Sequence, residues 1–431
     1  MIMKKIAFIT LGCKLNYAET STYERGFLEA GMEKVGWDEK ADVYLVNTCS
    51  VTQHSDNKCR NIIRKCHRLA PEAMIVVTGC YAELKREEIA AIEGVKLVFG
   101  AKEKSSVVSR TLDCLAGEYA LGEQTAVTDK AEEYRIISSD TMPAYSTGER
   151  TRSFLKVQDG CNNFCAYCTV PYARGASRNI PIAELVSQAE SIAASGVKEI
   201  VLTGVNTGDF GRSTGESFLN LLKALNEVEG IGRYRISSIE PNLLTEEIID
   251  WTASGTKFLP HFHIPLQVGD DQMLKAMGRH YDTELFASRI DYVRKRMEAP
   301  GKAKVFFGID VIAGLPGETD ERFENSFRFL AERIRPAFLH IFPYSRRPGT
   351  RAYDMPGQVR DGIKTERVAR LEELCRSLER EFIEANRGCR EKVLWESSEK
   401  GGKMYGYTGN YIRLERPYDP EKTGMIEEVV I

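Results

Sequence analysis

Short apolar runs at 6–11, 43–46, 74–77 and 97–99 are separated by longer helix-like stretches near 17–30, 52–69, 84–93 and 103–115. Runs of that length read as buried strands, and their alternation with helical stretches predicts a small doubly wound parallel-sheet domain over 1–116. Residues 117–150 are polar with no sustained apolar period and read as a connector that adds at most an edge strand. Apolar runs resume near Phe154, Ile200, Tyr234, Phe262, Val305 and Phe338, with helical patterns between them, as at 182–195 and 218–228. Six β-α units in about 200 residues predict an open, partial barrel, since a closed eight-unit barrel takes about 250. A helix is expected over 365–388, where Val368, Leu371, Cys375, Leu378 and Phe382 share one stripe and Gly388 supplies a stop. Short runs at 393–395, 404–414 and 425–431 then predict a small all-β barrel. The expected division is 1–116, a connector 117–150, a barrel with the start of its following helix at 151–376, and the helix end with the β-domain at 377–431.

Composition narrows the class. The chain has 431 residues, 42% apolar and 28% charged, with a net charge of −3. Disorder, collagen and a disulfide mini-scaffold are disfavoured by those fractions. No apolar run reaches the roughly 18 residues of a spanning helix, so no membrane association is expected. The near-neutral charge excludes a wholly basic nucleic-acid coat but leaves room for local basic patches. The first thirteen residues superficially resemble a signal ending in a lipidated Cys13. Their apolar run is shorter than the roughly 7–15 residues such a signal needs, and a strand ending in Gly-Cys is the better reading. A cytoplasmic location follows. The eleven cysteines are then free thiols, and clustered thiols point to metal or catalysis.

The most informative string is Cys161-Asn-Asn-Phe-Cys165-Ala-Tyr-Cys168, placed just after the first barrel strand. Chemistry in β-α barrels gathers at that carboxyl-terminal mouth. Three thiolates there wrap one face of an iron–sulfur cluster, which normally takes four, so one iron stays open for an exogenous ligand. The rival readings are scattered buried thiols, or a zinc site with a distant fourth ligand. The string resembles the signature of the radical S-adenosylmethionine superfamily. That resemblance implies that S-adenosylmethionine chelates the open iron and is cleaved by one electron to a 5′-deoxyadenosyl radical. Tyr167 beside Cys168 is typical of that superfamily.

The N-terminal domain repeats one placement three times. Cys13, Cys49 and Cys80 each follow a predicted strand, and the carboxyl ends of parallel strands share one ligand-binding edge. Three cysteines from independent units therefore converge on a second three-thiolate cluster. Cys59 and Cys66 lie on one face of a helix and read as packing residues, as do Cys114, Cys375 and Cys389.

The strings Leu11-Gly-Cys13-Lys-Leu-Asn16, Asn47-Thr-Cys49 and Thr78-Gly-Cys80-Tyr, together with the 161–168 loop, resemble the radical methylthiotransferases along nearly the whole chain. The Gly-Cys-Lys-Leu-Asn form is most similar to the MtaB branch. The resemblance implies a cluster domain, a radical barrel and a terminal TRAM-like β-barrel. It implies two 4Fe-4S clusters, on Cys13, Cys49, Cys80 and on Cys161, Cys165, Cys168, and two S-adenosylmethionine molecules per turnover. Its substrate is N6-threonylcarbamoyladenosine at position 37 in the anticodon region of tRNA, which gains a 2-methylthio group. The same chemistry on isopentenyladenosine in tRNA or on a ribosomal-protein aspartate is the nearest alternative. A non-catalytic iron–sulfur carrier or an RNA-binding adaptor leaves the placed cysteines unexplained. An electron donor such as a flavodoxin or ferredoxin is implied, and a monomer is expected. No side-chain acid or base is required as a catalytic residue, because the cofactors carry the hard chemistry.

Strand ends along the barrel offer small or polar residues for S-adenosylmethionine: Thr203 and Gly204, Glu240, Gln267 and Gly314. His261 and His263 share one strand face and are expected to pack or to face the substrate rather than to hold a metal. Candidate phosphate contacts are residues 57–70, with five lysines or arginines and no acid, then Arg174 with Arg178, and Arg346, Arg347 and Arg351. The terminal barrel carries one acid more than its bases, and Tyr405, Tyr407 and Tyr411 there are candidates for base stacking or for packing.

Overall fold

The computed structural model describes residues 3–117, 141–147, 151–212 and 214–431. Strands β1 (Lys5–Thr10), β2 (Glu33–Val35), β3 (Val43–Thr48), β4 (Met74–Gly79) and β5 (Val95–Phe99) form one parallel sheet in the order 2-1-3-4-5. Helix α1 (Lys14–Glu29) covers one face, while α2 (Gln53–Leu69), α3 (Cys80–Leu84) and α4 (Arg86–Ala90) cover the other. Helix α5 (Val107–Ala116) joins α1. Alternate strand residues feed the two layers: Ala7, Tyr44 and Val77 on one side, Ile6, Leu45 and Val76 on the other. The Thr52 hydroxyl caps α2 by accepting from the Ser55 amide at 3.1 Å, which fixes where the chain turns after Cys49.

Six parallel strands make the partial barrel: β6 (Arg152–Lys156), then, past a two-residue ribbon of β7 (Gln158–Asp159) and β8 (Arg178–Asn179), β9 (Glu199–Thr203), β10 (Arg233–Ile236), β11 (His261–Gln267), β12 (Phe306–Ala313) and β13 (Phe338–Pro343). They pair as 6-9-10 and 11-12-13, and a Ser238–His263 bridge joins the two halves. Leu155, Leu202, Ile236, Ile264, Ile309 and Leu339 point outward into the core beneath the helices. The alternate positions face the lumen and are polar to an unusual degree, including Arg152, Lys156, Arg235, His263, Asp310 and His340.

The C-terminal unit is a curled antiparallel sheet of β14 (Arg390–Lys400), β15 (Lys403–Tyr407), β16 (Arg413–Pro417) and β17 (Ile426–Val430), in the order 16-15-14-17. Its small core is Val393, Trp395 and Met404. No helix among the described residues is long and apolar enough to cross a membrane.

Four local expectations need revision. The edge strand β2 went unseen because Glu33-Lys34-Val35 has no apolar run. The helix expected at 84–93 is two short helices broken at Lys85. The run 404–414 is two strands joined by a turn in which Tyr411 has φ 67°. The helix expected at 365–388 spans Asp361–Ala385 and stops at Asn386, whose side chain is fully buried and bonds Phe382 O at 2.6 Å. Most of the connector, and with it most of the suggested edge strand, lies outside the described residues. Within 141–147, Tyr145 makes one antiparallel bridge to Leu155.

The N-terminal domain is keyed into the barrel. Phe154 and Val201, on the lumen side of β6 and β9, join the core that holds Ile6, Ala18 and Phe27, so α1 lies across the barrel's open side. Beside that contact is a buried ionic cluster. Glu19 Oε1 accepts from Lys104 at 2.8 Å, Lys156 at 2.9 Å and Arg174 at 3.2 Å. Asp159 binds Lys156 at 2.7 Å, Arg174 at 2.9 Å and Arg178 at 3.4 Å. Burial pushes the Glu19 carboxyl up, but Lys104, Lys156 and Arg174 outweigh it and hold it well below its ordinary range.

Glu19→Gln removes one carboxylate from beneath three cations and is expected to destabilise the chain by about 3–5 kcal/mol, read from urea unfolding. A group whose folded pKa is depressed contributes above its unfolded value and loses that contribution as pH falls. The wild-type lead over E19Q is therefore fully present above pH 4.5 and shrinks as pH falls through the lower folded value. A lead that grows on acidification contradicts the assignment.

Candidate active site

In a sheet ordered 2-1-3-4-5 the strand order reverses between β1 and β3, and the crevice at their carboxyl ends is where such sheets bind ligands. Cys13 follows β1, Cys49 follows β3, and Cys80 opens α3 after β4. Two glycines permit the approach. Gly12 has φ 108°, and a Cβ there would lie 2.7 Å from Cys49 Cβ; Gly79 has φ 100°, and its Cβ would meet Thr48 O at 2.4 Å. Asn16 stitches the loops together by donating to Leu11 O at 2.8 Å and Thr48 O at 2.9 Å. Burial raises the Cys49 thiol to about 11, with Cys80 and Cys13 adding to the rise. Cys80 is also raised by burial, and Arg174 and Lys104 pull it back down.

The second cysteine loop sits at the barrel mouth. Cys161 N donates to Gly175 O and Cys168 N to Cys165 O, each at 3.0 Å. Phe164, between the first two cysteines, has φ 45° and is 49% exposed. Arg279 Nη1 donates to Cys165 Sγ at 3.1 Å, while its Nη2 binds Glu240 at 2.7 Å. Asn163 Nδ2 holds both Glu240 oxygens at 3.0 Å. Burial raises Cys161 to about 11 and Cys168 to about 12.

The two loops face each other. Thr169, directly after Cys168, donates to the carbonyl of Ser50, directly after Cys49, at 3.4 Å. Arg347 clamps the same place, reaching Ser50 Oγ and Asp56, each at 2.8 Å. Among the described residues, the one trio of metal-ligating side chains with donor atoms within 4.8 Å of one another is His263, Asp310 and His340. Neither cysteine triplet therefore closes to the ~3.8 Å sulfur separation of a tetrahedral zinc site. Three soft thiols on a wider span fit an iron–sulfur cluster with one open iron, and Cys59, which lies near the first triplet, turns its thiol to the Cys49 carbonyl at 3.5 Å.

Between the two halves lies a cavity of about 330 Å³, lined by Thr10, Gly12, Cys13, Lys14, Tyr17, Arg152, Phe154, Val201, Arg235, His261 and Tyr411. His263 Nε2 lies 2.7 Å from Asp310 Oδ1, and its ring lies 4.9 Å from that of His340. The sequence reading set His263 apart from metal for want of neighbouring ligands; the fold supplies two, from strands 12 and 13. Burial lowers His340 to about 4, with His263 adding to the effect.

One expected phosphate patch, Arg174 with Arg178, is instead structural, and so is Arg347 of another. Arg174 is 3% exposed, Arg178 7% and Arg347 4%, and all three are engaged with Asp159 or Asp56. Lys58, Arg64 and Arg68 on α2, and Arg346 and Arg351, stay exposed. Tyr411 is turned into the barrel against His261, 5.0 Å between rings, and Tyr407 packs on Tyr411 at 4.8 Å. Those two are packing residues, while Tyr405 carries Arg413 over its ring at 3.8 Å.

Residues 5–100 match a family model described as uncharacterized protein family UPF0004, and residues 155–330 match the radical SAM superfamily. The chain is 38% identical, over 100% of its length and 94% of the relative's, to the threonylcarbamoyladenosine tRNA methylthiotransferase MtaB of Bacillus subtilis. The chain belongs to the radical-SAM tRNA methylthiotransferases of the MtaB type. It is also 31% identical, over 93% of its length and 89% of the relative's, to the tRNA-2-methylthio-N(6)-dimethylallyladenosine synthase of a Wolbachia species. Its fold is similar to that of the radical S-adenosylmethionine methyltransferase TsrM of Kitasatospora setae, with TM-score 0.57, 17% identity, and coverage of 82% of this chain and 77% of that one.

As a radical SAM enzyme it implies a 4Fe-4S cluster and S-adenosylmethionine, and the strand-end residues stand as follows. Thr203 ends β9, with Gly204 after it beside Gln158, whose Oε1 accepts from the amides of Val205 and Asn206 at 2.9 and 3.0 Å. Glu240 is bound into the cysteine loop through Asn163 and Arg279. Gln267 ends β11 at a bulge with φ 73°. Gly314 has φ 82°, and its Cβ position is occupied by Lys364 Cγ at 2.4 Å. Sequence reasoning missed Arg279 and Asn163, whose partner Glu240 is distant in the chain, and Lys14. Asn163 and Lys14 carried a signal, their places in the Cys161–Cys168 and Gly-Cys-Lys-Leu-Asn strings.

Of the eleven thiols, Cys13 alone is exposed. Brief maleimide labelling of the iron-free chain, mapped by peptide mass spectrometry, is expected to modify Cys13 first. Cys59, Cys66 and Cys375 should stay unmodified until the chain unfolds; early labelling of Cys59 or Cys66 contradicts their placement on the buried face of α2.

Proposed function

We propose that this enzyme converts N6-threonylcarbamoyladenosine at position 37 of tRNA to its 2-methylthio derivative. The observation that carries this reading is the Thr169–Ser50 contact, which joins the residue after Cys168 to the residue after Cys49 and so brings the two cysteine triplets to one interface. Cys161, Cys165 and Cys168 hold one 4Fe-4S cluster, and Cys13, Cys49 and Cys80 hold a second. When bound, the clusters and two S-adenosylmethionine molecules per turnover supply the radical, the sulfur and the methyl group.

The chain's own residues position and enclose. Arg279 hydrogen-bonds a cluster thiolate and fixes Glu240, leaving that carboxylate at the mouth for the ribose hydroxyls of S-adenosylmethionine. Thr203, Gly204, Gln267 and Gly314 complete the rim. The base enters between the loops, where exposed Phe164 offers a stacking face. Lys58, Arg64 and Arg68 on α2 then take backbone phosphates. A one-electron donor of the flavodoxin or ferredoxin class serves a monomeric, cytoplasmic enzyme.

Two measurements test this reading. Anaerobic iron and sulfide analysis should give about eight of each per chain, falling by about half in Cys161→Ala and by about half in Cys80→Ala. A wild-type content of about four removes the second cluster. Nucleoside mass spectrometry of tRNA from a deletion strain should show loss of the 2-methylthio form of threonylcarbamoyladenosine. Loss of the dimethylallyl derivative instead assigns the enzyme to the other substrate.

A further inference from the structure

We propose that the cavity between the N-terminal cysteine loop and the barrel lumen is the pocket for the N6 substituent of the base, and that Lys14 Nζ takes the carboxylate of that substituent. The inference rests on the substrate reading above and adds to it the residue that recognises the acyl group.

Position comes first. Cys13 lines this cavity, so the proposed sulfur-bearing site and the pocket share one space. A base whose C2 edge meets the cysteine triplets carries its N6 substituent on the other side of N1, and this cavity is the space beside Cys13 that can take it. At about 330 Å³ the cavity is in the range of small-ligand pockets. Tyr17, Phe154 and Val201 give it an apolar wall, and the ring edge of Tyr17 meets Phe154 at 5.6 Å.

Charge gives the ligand class. Arg152 is engaged by Glu396 at 2.7 Å, and Arg235 is engaged by Glu199 at 2.8 Å and by the carbonyls of Gly409 and Thr408. Glu199 also binds Arg233. Asp310, the carboxylate within reach of Lys14, is taken by His263 at 2.7 Å. Lys14 has no hydrogen-bond acceptor or ion-pair partner among the described residues, and it keeps solvent contact.

An unpaired ammonium beside two guanidiniums is a poor environment for an apolar substituent and a good one for an anion. A threonylcarbamoyl group ends in a carboxylate; a dimethylallyl group has no polar atom to offer. A site built around an unpaired charge rejects the analogue that leaves it unpaired. Lys14 therefore selects between the two substituents.

The test uses the cluster-loaded full chain and anticodon stem–loop RNAs bearing threonylcarbamoyladenosine, either as the free acid or with its carboxylate capped as the methyl amide. The two RNAs share one phosphate backbone, so its contribution cancels in the comparison. Wild type is expected to bind the acid about ten-fold or more tightly than the amide. Lys14→Gln should bind both alike, at the wild-type level for the amide and with unchanged iron content, and Lys14→Arg should restore most of the preference. Equal binding of acid and amide by wild type, or a preference that survives K14Q, overturns the pocket while leaving the proposed reaction standing. Failure of wild type to form 2-methylthio product on the acid stem–loop overturns the reaction itself, and the pocket with it.

Discussion

Everything about this site depends on where α1 lies, and what holds α1 is the buried cluster of Glu19 and Asp159 with Lys104, Lys156, Arg174 and Arg178. Two residues come from the N-terminal domain and four from the barrel, so the cluster exists only when the two are docked. Buried ion pairs are weak sources of net stability, because desolvation offsets most of the attraction. Their geometric demand is strict, since an unmet charge at such depth is costly. The cluster thus acts as a register: one relative placement satisfies all six groups, and that placement brings Ser50 against Thr169.

The barrel strands show the complementary half of the design. Their outward residues are the usual Leu, Ile and Phe beneath helices, so the strands are stable without help from the lumen. The lumen is thereby free to carry arginine, lysine, histidine and aspartate, which a packed eight-stranded barrel fills with apolar side chains. The partial barrel leaves one side open, and α1 fills part of it with Tyr17 and Glu19 while its first residue, Lys14, reaches the remaining space. The terminal sheet closes the far end by Arg233 and Arg235, which donate to the carbonyls of Lys392, Tyr407, Thr408 and Gly409.

Strand and helix alternation made the layer order and the six barrel strands legible in the sequence, because hydrophobic periodicity is a local signal. The first cysteine triplet was legible by its placement at three strand ends, which parallel topology turns into proximity, and the second by its spacing within one loop. Charged residues carried no such mark. Arg174, Arg178 and Arg347 read as a basic surface, and the fold buries all three against carboxylates far away in sequence. Tyr411 was assigned a strand parity, but a left-handed turn at that residue swings its ring into the barrel. His263 was read as packing or facing the substrate, and β12 and β13 set Asp310 and His340 beside it. Each of these is a long-range pairing, which composition and spacing do not encode.

The ionic cluster also has an imbalance that bears on its neighbours. Four cations face two carboxylates, and Arg174 and Lys104 stand beside Cys80 and pull its thiol toward the charged form. Buried charge seeks compensation, and no further carboxylate is bonded to these cations within the cluster. On the proposed two-cluster reading, the thiolate ligands of the first triplet supply it, with Cys80 beside Arg174 and Lys104. The same cations that lock the domains together then favour an anionic occupant at the first triplet, while Arg279 performs the corresponding service for Cys165 at the second. On that reading docking and cofactor retention are coupled: loosening Arg174 from Glu19 and Asp159 weakens the interface and removes the countercharge in one step.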